Sequence, residues 1–336
     1  MGGRPGFPAT AGRTATSNGN GEAHIVDPIR PGVAELDVVL LALFPALLWG
    51  FEPIVSKRGM NAGGRSLQAA VTAVAVSSVL YWSALLLVDG PANLTRSLDP
   101  ASVGVFVLAG VVGTAFGRLG MFVGIRRVGA SISNAAINAR PLFATIVALV
   151  WLGEPIGPLV GVGIVVLVAG LVLLTVSKGG DVRGWEPRYL LVPLSAAVAF
   201  AVGNVVRRFG LTTTGVSVLQ AVTINETTAL VVLGGYVLLR NREALTGPPR
   251  GTYGFFVGSG LLTAVALLSM FAAFDRGPVA VVDPITAVSP LFTTFFAYFL
   301  LRDVERVTRG IVAGVGLVVA GVALVVGGGP LLAVFG

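Results

Sequence analysis

From residue 38 onward the chain is a succession of uninterrupted apolar runs, and this dominates every reading of it. Ten such runs are present, at 38–57, 66–88, 101–124, 131–152, 156–176, 189–208, 216–239, 252–274, 280–301 and 308–327. As helix, each is long enough to cross about 30 Å of hydrocarbon. A segment in lipid must satisfy its own backbone, so it spans as a helix or as a strand of a closed barrel. Runs of this length without two-residue alternation predict helix. Composition agrees. Hydrophobic types make up 54 % and charged types 12 %, against roughly 25 % charged in an ordinary soluble domain. A water-soluble fold is thereby excluded.

The same composition removes whole classes of chemistry. With Cys 0 and His24 the single histidine, disulfides, thiolate zinc sites, cysteine nucleophiles, histidine metal clusters and catalytic triads are ruled out, and no metal or cofactor is expected. Residues 1–35 are rich in Gly, Pro, Ser, Thr and Asn and read as a disordered tail. The tail has no secretory apolar core, and Gly6 stands where a myristoylation signal needs Ser or Thr, so no lipid anchor is expected. Residues 177–188 read as a linker and 328–336 as a C-terminal tail.

The runs form two sets of five. Residues 38–176 and 189–327 are each 139 residues long, and a shift of 149 lays Met121-Phe122 on Met270-Phe271, Pro141-Leu142-Phe143 on Pro290-Leu291-Phe292 and Glu154 on Asp303. A shift of 151 lays Lys57 on Arg208 and Gly59 on Gly210. A repeat with an odd number of spans re-enters the membrane from the opposite side. The two halves are then related by a pseudo-two-fold axis in the membrane plane, the architecture that supports alternating access to a site between them. The net charge of +7 resides mostly in arginines of short connections, which points to lipid headgroups and not to nucleic acid. Connections on the N-terminal side carry seven basic residues, Arg207 and Arg208 among them, and those on the other side fourteen. The positive-inside rule then places both termini outside.

The segments ALLWGFEPIVSKRG (46–59), GASISNAAINARPLFATIVALVWLGEPI (129–156) and GPVAVVDPITAVSPLFTTFFAYFLLRDVE (277–305) resemble the drug/metabolite transporter superfamily, specifically its EamA-type ten-helix members. Trp49-Gly50 matches the family's Trp-Gly pair, Pro141 and Pro290 its helix prolines, and Glu154 its acidic residue after the fourth helix. Asp303, where Gly-Glu is common, and Glu52, just after Trp-Gly, depart from the pattern. The resemblance implies an all-α membrane protein of two inverted five-helix repeats. It also implies a secondary carrier of small metabolites, often outward, in the cell membrane, with no enzymatic activity. It does not name a substrate.

An ionised group inside hydrocarbon costs about 2.5–3.5 kcal/mol on insertion scales and is a functional candidate by default. Four lie within spans: Glu52, Arg118, Arg140 and Glu226. Their charges sum to zero. Two readings follow: internal ion pairs, or arginines that bind an anionic or zwitterionic substrate beside a carboxylate that exchanges protons. Asn134 and Asn138, four apart, share a helix face and suit either substrate recognition or interhelical hydrogen bonding. Asn204 and Asn225 add polarity to the second half. Asp283 aligns with Asn134 and precedes Pro284, which reads as a helix cap. Pro141 and Pro290 are candidate hinges, and Trp49 a stacking surface. Gly310, Gly314 and Gly321 permit close packing of the last helix. The expected function is proton-coupled export of a small polar or amphipathic metabolite by a monomer or homodimer. A passive channel is the alternative, and behind it a membrane enzyme acting on a lipid-linked substrate, for which a headgroup-level catalytic cluster is missing.

Overall fold

The computed structural model describes residues 36–91, 98–177, 186–240, 242, 249–300 and 308–335. The expected N-terminal tail, residues 178–185 of the linker, and Asp303 lie outside the described residues. Within them are ten membrane-spanning helices: α1 Leu36–Asn61, α2 Ser66–Val88, α3 Pro100–Val128, α4 Ile132–Leu152, α5 Pro158–Val176, α6 Pro187–Thr213, α7 Val218–Arg240, α8 Arg250–Arg276, α9 Val279–Phe296 and α10 Arg309–Gly328. The last of these continues helically to Phe335, through the segment expected to be a tail.

The packing repeats itself under the pseudo-two-fold. Helix α1 packs on α8 and α9, and its counterpart α6 packs on α3 and α4. The pair α2–α8 is matched by α7–α3, while α2–α7 and α5–α10 are their own counterparts. Individual contacts recur as well. A Cβ on Gly59 would come within 2.6 Å of the Phe256 ring, and one on Gly210 within 2.6 Å of the Phe106 ring. Both phenylalanines are fully buried. Lipid tails are as apolar as leucine, so burial gives helices little reason to associate, and close packing of small residues takes over. At α5–α10 it brings backbone to backbone: a Cβ on Gly170 would lie 2.6 Å from the Val318 nitrogen, and one on Gly314 2.8 Å from that of Leu174. Leu87, Val150 and Leu239 face outward, as lipid demands.

The two helices that carry Pro141 and Pro290 are broken, and in the same way. Helix α4 breaks between Ile137 and Arg140, and α9 between Thr286 and Ser289. At the first break Ala139 N donates to Ala136 O (3.1 Å) and Leu142 N to Ala139 O (3.0 Å); at the second, Val288 N donates to Ile285 O (3.3 Å) and Leu291 N to Val288 O (2.9 Å). Pro141 and Pro290 each stand second in the new half-helix, where a missing N–H costs nothing. Helix α3 carries a π-helical stretch, Gly110–Phe116, and α4 another, Ala148–Leu152. Such widened turns often mark functional sites.

Candidate functional site

Between the two repeats lies a cavity of about 430 Å³, lined by every span except α5 and α10. Its apolar walls are Trp49, Met60, Met121, Phe122, Phe200 and Met270. Set into them are Glu52, Thr114, Arg118, Arg140, Asn204, Arg207 and Glu226. These polar groups fall into three assemblies.

On the α1–α8 wall, Glu52 Oε1 accepts hydrogen bonds from Ser56 Oγ and Ser259 Oγ, each at 2.5 Å. At the breaks of α4 and α9, Arg140 Nε lies 3.1 Å from Asp283 Oδ1, and its Nη2 reaches Thr286 Oγ1 at 3.5 Å. Asp283 is fully buried and also accepts from Asn204 Nδ2 at 2.5 Å. The third assembly centres on Arg207, which is 4 % exposed. Its Nε donates to Asn225 Oδ1 (3.2 Å), Nη1 to Asn204 Oδ1 (2.5 Å) and Nη2 to Thr114 Oγ1 (2.7 Å), with the Phe271 ring centroid 5.4 Å away. Asn225 Nδ2 turns to Thr114 Oγ1 (3.0 Å) and Glu226 Oε1 (3.4 Å). Glu226 is fully buried, and its Oε2 has no hydrogen-bond partner. Arg118 projects into the cavity and makes no hydrogen bond or ion pair among the described residues. It and Arg207 are the cations whose field Glu226 feels.

Glycines make this arrangement possible. Gly113 of α3 faces Gly203 of α6 so closely that a Cβ on Gly113 would sit 2.7 Å from the Gly203 Cα and 3.1 Å from Arg207 Nη2. Gly110, one turn earlier, lies against the Asn225 carbonyl. Three helices therefore meet nearly backbone to backbone, and Thr114, Asn204, Arg207 and Asn225 fall within hydrogen-bonding reach.

Of the residues singled out in the sequence, Trp49, Glu52, Arg118, Arg140, Asn204 and Glu226 line the cavity. Asn225 and Asp283 sit directly behind that lining. Asn138 does not join them: it donates to Thr175 Oγ1 of α5 at 3.0 Å. Asn134 is exposed, away from the cavity lining. Asp283 is no cap, since α9 begins at Val279 and the carboxylate lies within it, engaged with Arg140. The four span charges do not pair among themselves either, because the partner of Arg140 is this fifth group. Arg207, expected in a connection, is the largest omission. The apolar run ends at 208, but helix α6 continues to Thr213, which draws Arg207 inward. The signal was present. A shift of 151 lays Arg207 on Ser56, one turn beyond Glu52, and Asn204 precedes it by three residues. Among the described residues no group of three or more acidic, histidine or cysteine side chains could hold a metal.

The cavity is one-sided. Away from the side where α1 begins, it reaches Met60 at the end of α1 and Ser66, Ala69 and Ala70 at the start of α2. The repeat counterparts of Met60, Ala70 and Phe122 are Leu211, Ala221 and Phe271, and all three are buried. At that sealed end Glu154, between α4 and α5, accepts from Val279 N (2.8 Å) and lies 3.4 Å from Arg208 Nε. Arg208 Nη1 in turn donates to the Phe274 and Asp275 carbonyls at 2.6 and 3.0 Å. Burial pushes the Glu154 carboxyl above its ordinary value, against the opposing pull of Arg208. Trp151 stacks on Phe209 at 5.7 Å.

The model of the EamA-like transporter family matches residues 37–176 and again 188–327. The two matches divide the chain where the sequence repeat does. A solved crystal structure, described only as that of a protein, superposes with a TM-score of 0.71 over 86 % of this chain and 96 % of its own, at 16 % identity. At that identity the likeness shows the fold alone. No curated protein matches the sequence.

Proposed function

The chain belongs to the EamA-like transporter family, and on that premise we propose that it is a secondary active carrier in the cell membrane. It works by alternating access and exports a small polar or amphipathic metabolite at the expense of a proton gradient. The observation that carries this reading is the one-sided, charged cavity between two inverted repeats. A carrier needs a site that can be presented to either face, and a pseudo-symmetric pair of bundles has two equivalent ends to open in turn. The open mouth at Met60, Ala70 and Phe122 and the buried counterparts at Leu211, Ala221 and Phe271 are what one of two related states would contain. The matched breaks at Pro141 and Pro290 are the hinges in this reading.

Trp49, Glu52, Arg118, Arg140, Asn204 and Glu226 form the substrate site, with Asn225 and Asp283 positioning them. Glu226 has a carboxylate oxygen free to take a proton, and Glu52 is held by hydroxyls alone. These two are the candidate coupling groups. A thermal-shift screen against a metabolite panel supplies a ligand, and its uptake into sealed proteoliposomes tests the proposal. Saturable accumulation that collapses with a protonophore supports it, and Arg140→Ala and Glu226→Gln should both abolish that accumulation while still inserting. Flux that never saturates would identify a channel.

A further inference from the structure

We propose that the substrate carries a carboxylate on an apolar body, and that Arg118 and Arg207, rather than Arg140, receive it. This rests on the carrier reading and adds the chemistry of what is carried. The cavity holds three arginines, and their charges are met very differently. Arg140 is neutralised, since Asp283 lies 3.1 Å from its Nε. Arg207 meets only the neutral oxygens of Asn204, Asn225 and Thr114. Those three contacts fix the guanidinium fork without cancelling its charge. They occupy three of its five N–H donors. Arg118 has no hydrogen-bonded or ion-paired partner among the described residues, and it too lines the cavity. Glu226 is the acidic group common to the fields of both.

Over the whole site Glu52, Asp283 and Glu226 balance the three arginines in number, but Asp283 pairs with Arg140 and Glu52 is held by Ser56 and Ser259, so among the described residues no carboxylate is hydrogen-bonded to Arg118 or Arg207. Arginine stays charged, so neither guanidinium is relieved by losing a proton. A buried cation without a counter-ion is expensive, and a bound anion removes that cost. A carboxylate matches the planar fork in a bidentate manner. The remainder of the ligand meets Trp49, Met121, Phe122, Phe200 and Met270, walls of ring and thioether. The cavity volume of about 430 Å³ lies in the usual range for small organic ligands, about 300–1,000 Å³. Within this arrangement Glu226 is the internal rival of the substrate for the same two arginines.

That rivalry gives the test its sign. Purified protein in detergent is titrated with two acid–amide pairs, 3-phenylpropionate with 3-phenylpropionamide and hexanoate with hexanamide, followed by calorimetry. The members of each pair have the same shape and differ in charge. The acid of at least one pair should bind about tenfold or more tightly than its amide, a difference of about 1.4 kcal/mol. Arg118→Gln and Arg207→Gln should each erase most of that preference, whereas Glu226→Gln should tighten binding of the acid. Should Arg207→Gln fail to fold, Arg118→Gln decides, since no described contact of that side chain is lost. Equal binding of acid and amide, no binding by either acid, a preference that survives Arg118→Gln, or weaker acid binding in Glu226→Gln would each overturn the assignment. The titration involves no gradient and no flux, so its failure removes the anion subsite and leaves the carrier reading to the proteoliposome assay.

Discussion

Replacing Gly113 with alanine tests whether the crossing of α3 and α6 is what assembles the site. The added Cβ would lie 2.7 Å from the Gly203 Cα and 3.1 Å from Arg207 Nη2. Ordinary carbon–carbon contact is about 3.5–4.0 Å, so the two backbones must part by about 1 Å. Neither neighbour can swing aside: one is backbone, and the other is a guanidinium held at three points. Overpacking of this kind costs about 1–3 kcal/mol. The displacement also falls on the bond from Arg207 Nη2 to Thr114, which leaves 2.7 Å with little to spare. Gly234 of α7 is the control. Nothing lies within 4 Å of its would-be Cβ, and alanine at an open helical position is more stable than glycine by about 0.5–1 kcal/mol. Thermal unfolding in detergent should therefore shift in opposite directions, down by several degrees for Gly113→Ala and slightly up for Gly234→Ala. Ligand binding should be lost in the first variant only. A Gly113→Ala protein that melts at or above the wild-type temperature and still binds would refute the claim that this contact positions Arg207.

Other expectations follow from contacts outside that crossing. Asp283→Asn should destabilise the protein by up to about 3 kcal/mol by leaving Arg140 without its counter-ion, and adding Arg140→Gln should restore at least half of that in denaturation curves. Gly321→Leu should prevent accumulation of folded protein, because a Cβ there already falls 2.5 Å from the Leu167 nitrogen; recovery of a monodisperse, folded variant would contradict the packing described for α5–α10. Glu154 makes stability depend on pH in a direction set by its raised value. Protonation favours the folded state, so its contribution is complete below the ordinary value of 4.5 and fades as pH rises through the raised one. The melting temperature of wild type relative to Glu154→Gln should accordingly rise on acidification, and a pH-independent difference would remove Glu154 as the source.

The spans and the repeat were legible because both are long-range regularities. Twenty apolar residues in a row leave one solution in lipid, and matched pairs such as Met121-Phe122 with Met270-Phe271 fix the register. What escaped depended on where helices end and which way single side chains turn. Arg207 lies at a boundary that composition alone places several residues too early, and the misplacement turned the central cation of the site into a loop residue. Asn134 and Asn138 do stand one helical turn apart, with Asn138 N donating to Asn134 O at 2.9 Å, but Asn138 turns to Thr175 of α5 and Asn134 is exposed, so neither joins the cavity lining. Asp283 before Pro284 has the form of a cap. Only the third dimension brings Arg140 to it across 143 positions of chain.

The cavity takes its walls from eight helices and nothing from α5 or α10. That pair lies against itself through Gly170, Gly314 and Gly321, a contact that asks for small residues. The residues that line the chamber and the glycines that seat this keel are therefore different residues. A substitution in the chamber, acid for base, leaves the timber that braces it untouched.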